Sequence, residues 1–273
     1  MSADTAGGPI RAKLAAGKPL FNAWLTLGSP FAVELSAEAG CDLVTVDQQH
    51  GIGGHAEMMS CLMAAGAGGV PALVRVAAND SGLIGRALDA GAHGVICPMI
   101  NSADDAWQLV SSVKFPPLGR RSLGPFRARL AMPDYFRAAN AWTIACGQIE
   151  TQTALGHLDK ILATPGLDMI CAGPNDLALT LSDGGHNDIR SPEVIEALDL
   201  LLAKCKENSV MSAIFANDAD YAKSMIAKGW QIITIGTEAR WLSEGAKTAR
   251  RVIDGEEARA APAASGATSG TLY

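Results

Sequence analysis

The chain has 273 residues, enough for one large α/β domain or two small ones, and its 48% apolar and 18% charged residues exclude global disorder. Lys+Arg number 22 and Asp+Glu 28, and the resulting net charge of −6 argues against a phosphate-tracking surface and so against nucleic acid as a partner. The six cysteines are scattered without a C-x-x-C pair, no apolar run is long enough to cross a bilayer, and the first residues carry no charged-then-apolar signal pattern. A soluble protein in a reducing, cytoplasmic setting, with no membrane partner, is therefore expected.

The first eight or so residues are small and polar, and residues 10–17 read as a short amphipathic helix. One unit then repeats: a β-rich run, a break at Gly, Pro, Asn or Asp, and a helical pattern. Strand-like runs fall at 20–27, 42–47, 72–76, 94–99, 143–149, 168–172, 212–216 and 231–235. Helical periodicity covers 32–39, 55–65, 81–90, 103–113, 152–163, 192–207, 219–228 and 240–253, and Gly40, Gly66, Gly91 and Gly229 stand where helices should stop. Near-continuous apolar strands alternating with helices require a parallel sheet covered on both faces. Eight such units in roughly 250 residues fit a closed (β/α)8 TIM barrel better than a doubly wound sheet. Leu27-Gly28-Ser29-Pro30, after the first strand, also lacks a dinucleotide-binding glycine pattern. No internal boundary is visible, so residues 1–255 read as one barrel domain. Residues 256–273, rich in Ala, Gly, Ser, Thr and Pro, read as a disordered tail. Residues 114–140 are a long insertion after the fourth unit and hold a basic cluster, Arg120, Arg121, Arg127 and Arg129.

In such a barrel, reactive groups sit at the C-terminal ends of strands. The second run ends in Asp47-Gln48-Gln49-His50, the third carries Arg75, the fifth ends in Gln148-Ile149-Glu150, and the sixth runs into Gly173-Pro174-Asn175-Asp176. Taken singly, Glu150, Asn175 and Asp176 have an ordinary explanation at helix N-termini, and a turn histidine after a strand is common. Arg75 on an apolar strand is harder to account for, because an unpaired buried guanidinium is costly. Together they place one histidine, one arginine, two carboxylates and two amides on one face. Two carboxylates without spaced His or Cys ligands point to Mg²⁺ or Mn²⁺ rather than zinc. Such an ion polarises a carbonyl and stabilises an enolate, Arg75 adds fixed positive charge, and His50 moves a proton near neutral pH. Asp89 breaks a local rule, placing negative charge in the last turn of a helix.

These residues resemble the metal-dependent class II pyruvate aldolases grouped as HpcH/HpaI. The resemblance runs from about residue 23 to about residue 249. It is carried by Ala23-Trp24-Leu25, Asp47-Gln48-Gln49-His50, Val74-Arg75 with Asn79-Asp80, Leu88-Asp89-Ala90-Gly91 and Pro98-Met99, and continues through Pro116-Pro117-Leu118-Gly119-Arg120-Arg121, Gln148-Ile149-Glu150-Thr151 and Gly173-Pro174-Asn175-Asp176-Leu177. It implies cleavage of a 4-hydroxy-2-oxo acid to pyruvate, or hydroxypyruvate, and a small aldehyde, with Mg²⁺, Mn²⁺ or Co²⁺ held by Glu150 and Asp176. By position it makes His50 the base and Arg75 the enolate stabiliser, with Gln148 and Asn175 on the pyruvate moiety and Trp24 lining the pocket. Gly173 and Arg121 are further candidates for substrate contact, and Asp47 for a supporting place. Asp89 would raise the basicity of a histidine across a subunit boundary. A homo-oligomer, a hexamer with an exchanged C-terminal helix, is implied as well. Many members carry Glu where this chain has Gln49, and the loop Ser122-Leu123-Gly124-Pro125-Phe126-Arg127 has added positive charge. Both departures leave the aldehyde open, and the basic loop reads either as a solvated surface or as a wall selecting it.

Three rival readings follow. A Schiff-base aldolase needs a desolvated lysine at a strand end, whereas Lys114, Lys160, Lys204, Lys206, Lys223 and Lys228 all fall on helices or their ends. Another lyase or synthase could pass the same enolate to an acyl-CoA or phosphonate. A metabolite-binding barrel without catalysis is the third.

Overall fold

A computed structural model describes residues 8–131 and 134–255. The tail expected at 256–273 lies outside them. Strands β1 (Leu20–Leu25), β2 (Leu43–Asp47), β3 (Ala72–Arg75), β4 (Gly94–Cys97), β5 (Ile144–Ile149), β6 (Met169–Ala172), β7 (Met211–Ala216) and β8 (Ile232–Thr237) close into a barrel in chain order, every neighbouring pair parallel. The helices are α1 (Gly8–Leu14), α2 (Pro30–Glu38), α3 (His55–Ala67), α4 (Ser81–Asp89), α5 (Ala103–Val113), α6 (Ala128–Ala131), α7 (Tyr135–Trp142), α8 (Gln152–Gly156), α9 (Leu158–Leu162), α10 (Pro174–Leu181), α11 (Pro192–Glu207), α12 (Ala219–Lys228) and α13 (Glu238–Ile253). The (β/α)8 barrel read from the repeat is the fold of the molecule.

Several local expectations need correction. The helix expected over 152–163 breaks at His157, whose Nδ1 meets the Asn101 carbonyl at 2.8 Å and ties the chain to the β4–α5 loop. Gly66 does not end a helix: α3 runs through it, and the left-handed residue is Gly69. The insertion holds two helices, α6 and α7. An additional helix, α10, starts at Pro174, whose fixed φ suits the first turn.

Alternation along the strands separates two cores. Residues such as Val44, Val46, Val74, Val95, Ile149 and Ile170 face outward and pack under the helices. The inward set begins with Leu20, Leu43, Leu73, Ile144, Met169 and Ile232 at the barrel foot, where Ile10 of α1 joins it. One layer up, the inward positions turn polar: Asn22 donates to Thr234 (2.8 Å) and accepts from Thr45 (3.1 Å). Two residues further along, the same period of two brings Trp24, Asp47, Arg75, Gln148 and Glu150 to the mouth. The foot is closed by Asp168, which pairs with Arg11 and with Lys114 (2.6 Å), while Lys114 also donates to the carbonyls of Asn140 and Thr143. Lys114 is thus a buried structural cation at the end opposite the mouth.

Candidate active site

The mouth is built around Asp47, the last residue of β2. Its carboxylate accepts Nε (2.9 Å) and Nη2 (2.5 Å) of Arg75, its register partner on β3, and also the indole N–H of Trp24 (3.2 Å). Oδ1 further accepts the backbone amides of Gln49 (2.9 Å) and His50 (3.3 Å), so the same group shapes the turn that presents His50. Burial alone would raise the Asp47 carboxyl, but the bond to and charge of Arg75, with the two amides, hold it below the usual range. The Arg75 guanidinium also lies 4.8 Å over the Trp24 ring. Held along one edge and one face, it is fixed in orientation.

Glu150 follows β5 and is almost wholly buried. Its Oε1 accepts the Met99 amide (2.7 Å), and Oε2 accepts Gln148 Nε2 (2.6 Å). Met99 holds its amide there with a left-handed backbone, φ 57°, uncommon for a non-glycine residue. Asn101 supports that loop by donating to the Met99 carbonyl (3.0 Å) and accepting from Thr151. Gly173 permits the close approach of the β6–α10 turn, since a Cβ there would lie 2.9 Å from Glu150 Cβ and 3.1 Å from Gln148 Nε2. Asp176 then enters from the first turn of α10, and Asn175 beside it accepts from Asn217 (3.2 Å).

Both acids are costly to ionise in this setting. Burial pushes the Glu150 carboxyl up and the Asp176 charge adds to it, against the opposing Met99 amide, Arg75 and Gln148. Burial likewise raises Asp176, while the charges of His50 and Arg75 oppose the rise. Among the described residues no group of three or more His, Cys, Asp or Glu is placed to hold a metal, which is unlike a zinc site. Two crowded carboxylates do suit a hard cation that keeps positions for water and substrate oxygens. Gln148 Oε1 is buried beside them without a hydrogen-bond partner among the described residues, an acceptor open to a ligand.

The mouth thus gathers Trp24, Asp47, His50, Arg75, Gln148, Glu150, Gly173, Asn175 and Asp176. It does not include Asp89 and Arg121 of the same chain. Helix α4 runs back from the mouth, so its last residue, Asp89, lies near the foot, where its Oδ1 accepts Arg121 Nη2 (2.8 Å). Arg121 also donates to the Tyr135 hydroxyl (2.8 Å) and stacks on Phe115 and Tyr135. The basic loop follows α5 and is a foot loop for the same reason. Arg127 donates to the carbonyls of Ala90, just after α4, and Leu62, within α3, so two of its four arginines are used in holding it. In one chain the loop is therefore no wall of the mouth. The sequence reading missed Phe215 and Asn217, at the end of β7; Phe215 stands edge-on to Trp24 at 5.7 Å. Their position at a strand end was the available signal.

The sequence matches the HpcH/HpaI aldolase/citrate lyase family over residues 21–244. A hydroxypyruvate/pyruvate aldolase of Rhizorhabdus wittichii is 32% identical over 232 residues, covering 85% of this chain and 92% of the relative. A 4-hydroxy-2-oxo-heptane-1,7-dioate aldolase of Escherichia coli (strain ATCC 8739) is 30% identical over 242 residues, covering 87% and 92%. The crystal structure of an aldolase/citrate lyase family protein from Burkholderia cenocepacia J2315 superposes with a TM-score of 0.81 at 35% identity, covering 87% of this chain and 95% of that one.

Proposed function

The chain belongs to the HpcH/HpaI aldolase/citrate lyase family, and on that premise we propose that it is a divalent-metal-dependent aldehyde-lyase cleaving a 4-hydroxy-2-oxo acid to pyruvate, or hydroxypyruvate, and a small aldehyde. The observation that carries this reading is the convergence of Glu150 and Asp176 with an Arg75 locked by Asp47, beside His50. The names of the aldolase relatives support a pyruvate-type substrate. A Mg²⁺, Mn²⁺ or Co²⁺ ion held by Glu150 and Asp176 would supply Lewis-acid polarisation of the 2-oxo group.

The chain's own groups do the rest. Arg75, fixed in orientation, directs its remaining N–H groups at the oxygen that gains charge, at no reorganisation cost. Asn175, its Oδ1 already accepting from Asn217, donates its amide N–H to the 2-oxo acid; Gln148 Oε1 accepts from a substrate hydroxyl, and Trp24 with Phe215 forms an apolar side to the pocket. His50 removes the proton from the 4-hydroxyl, the C3–C4 bond breaks, and its electrons become the enolate as the aldehyde leaves. Protonation at C3 then yields the 2-oxo acid product.

Asp89 keeps its expected role only across a subunit boundary, because its own barrel places it at the foot. Exposed apolar side chains on α13 (Trp241, Leu242, Val252 and Ile253) support a homo-oligomer in which that helix is exchanged. A metal-supplemented screen of pyruvate and hydroxypyruvate against a panel of aldehydes tests the activity. Aldol product that vanishes with chelator and in Glu150→Gln is expected; product undiminished by chelator would remove the metal from the reading.

A further inference from the structure

We propose that Glu238, the first residue of α13, is a positioning residue for the turn that carries His50. Glu238 is largely buried and has no basic partner among the described residues. Its Oε1 instead accepts two consecutive backbone amides, Thr26 (2.6 Å) and Leu27 (2.7 Å), and its Oε2 accepts the Thr26 hydroxyl (3.2 Å) and the Ala239 amide (3.3 Å). These residues follow β1, so a carboxylate from the last helix fixes the first loop of the mouth. Two adjacent amides bonded to one oxygen define that loop's direction as well as its position.

The loop in turn holds the His50 segment at three places. The Thr26 carbonyl accepts the Ile52 amide at 2.8 Å. The α-carbon of Gly51 crosses close to the same carbonyl and to that of Asp47: a Cβ there would lie 3.1 Å from Thr26 O and 2.1 Å from Asp47 O. Gly28 and Gly53 face each other so closely that a Cβ on either would be 2.9 Å from the other's Cα. His50 is thus gripped between two carboxylates. Asp47 holds its amide from inside the barrel, and Glu238 acts from outside through Thr26. Apart from the Trp241 indole on the Ile235 carbonyl and the Arg240 amide on the Thr237 hydroxyl, the side-chain hydrogen bonds between α13 and the barrel among the described residues all come through Glu238. Presentation of the base therefore depends on one side chain at the start of a helix that does not line the mouth.

Amide hydrogen exchange tests this without relying on catalysis, whereas the accompanying loss of turnover rests on the aldolase reading. In Glu238→Gln, which keeps one acceptor oxygen but loses the charge and turns the Oε2 position into a donor facing the Ala239 amide, exchange of a peptide spanning residues 48–54 should rise by about tenfold, the worth of the lost charge assistance. Peptides spanning 98–102 and 148–151 should stay as in the wild type. Trp241→Ala, which loosens α13 without touching Thr26, should leave 48–54 unchanged, and Glu238→Asp should fall between wild type and Gln. With aldolase activity present, kcat should fall by about tenfold in Glu238→Gln with metal affinity retained. If Glu238→Gln fails to fold, the same peptides are compared in Glu238→Asp. Unchanged exchange at 48–54, or an equal rise in all peptides, would overturn the proposal; exchange that rises selectively in a protein without aldolase activity would uphold it and sink the aldolase reading instead.

Discussion

Asp47 and Arg75 face each other across β2 and β3 in a two-point contact, Nε to Oδ1 at 2.9 Å and Nη2 to Oδ2 at 2.5 Å. The Asp47 side chain is only 1% exposed and that of Arg75 10%. Removing one partner leaves the other charge buried and unmatched. Asp47→Asn should therefore cost about 3 kcal/mol of stability by urea unfolding and lower kcat by roughly a hundredfold, since a small misplacement of a catalytic group has that effect. Arg75→Lys should also fail, because an ammonium does not reproduce the planar fork. Wild-type turnover in either variant would show that the pair is only structural.

The acid pair sets an opposition between stability and function. Folded-state carboxyls raised above their unfolded values, as at Glu150 and Asp176, favour the native state at low pH and work against it as pH rises through the raised values. At neutral pH without metal, Glu150→Gln should thus melt higher than the wild type. Adding Mg²⁺ or Mn²⁺ at a hundred times Kd should stabilise the wild type by about 2.7 kcal/mol, a shift of roughly 5–10 °C for a chain of this size. The variant should show little of that shift. Differential scanning calorimetry with and without chelator checks both signs.

Gly51 offers a change that displaces the base without touching the acids. An added Cβ would sit 2.1 Å from the Asp47 carbonyl oxygen, so Gly51→Ala must move the turn. Turnover should fall by roughly a hundredfold, while metal binding by titration calorimetry stays near the wild-type value. Parallel loss of both would mean that the mouth rearranges as a whole.

His93 provides a pH marker at the other end. Burial lowers it to about 4, where its ring stacks on Trp142 and Nδ1 accepts the Ala72 amide. Unfolded, it takes up a proton below its ordinary value near 6.5. Stability present at neutral pH is therefore lost as pH falls from about 6.5 to about 4, on the order of 3 kcal/mol. His93→Gln should flatten that limb of the stability profile measured in denaturant.

The barrel was legible because eight apolar runs alternate with helical periodicity, a pattern few folds share. The mouth was legible for a related reason: inward positions repeat every two residues, so Asp47, Arg75, Gln148 and Glu150 fall on one face once the strand ends are known. What escaped depends on the directions of helices and on contacts far apart in sequence. Asp89 and Arg121 are conspicuous in the sequence, yet α4 and α5 carry them to the foot. Glu238 is an ordinary helix-starting acid until Thr26 and Leu27 are seen against it, more than two hundred positions away. Phe215 and Asn217 sat at a strand end where the same rule applied.

Exchange of pyruvate methyl protons with solvent deuterium, followed by NMR, tests enolate formation at this mouth most directly. With Mg²⁺ present, we expect exchange above the uncatalysed rate that disappears with chelator and in Glu150→Gln. Exchange that persists under chelation, or a lysine adduct trapped by borohydride, would contradict a metal-assisted enolate.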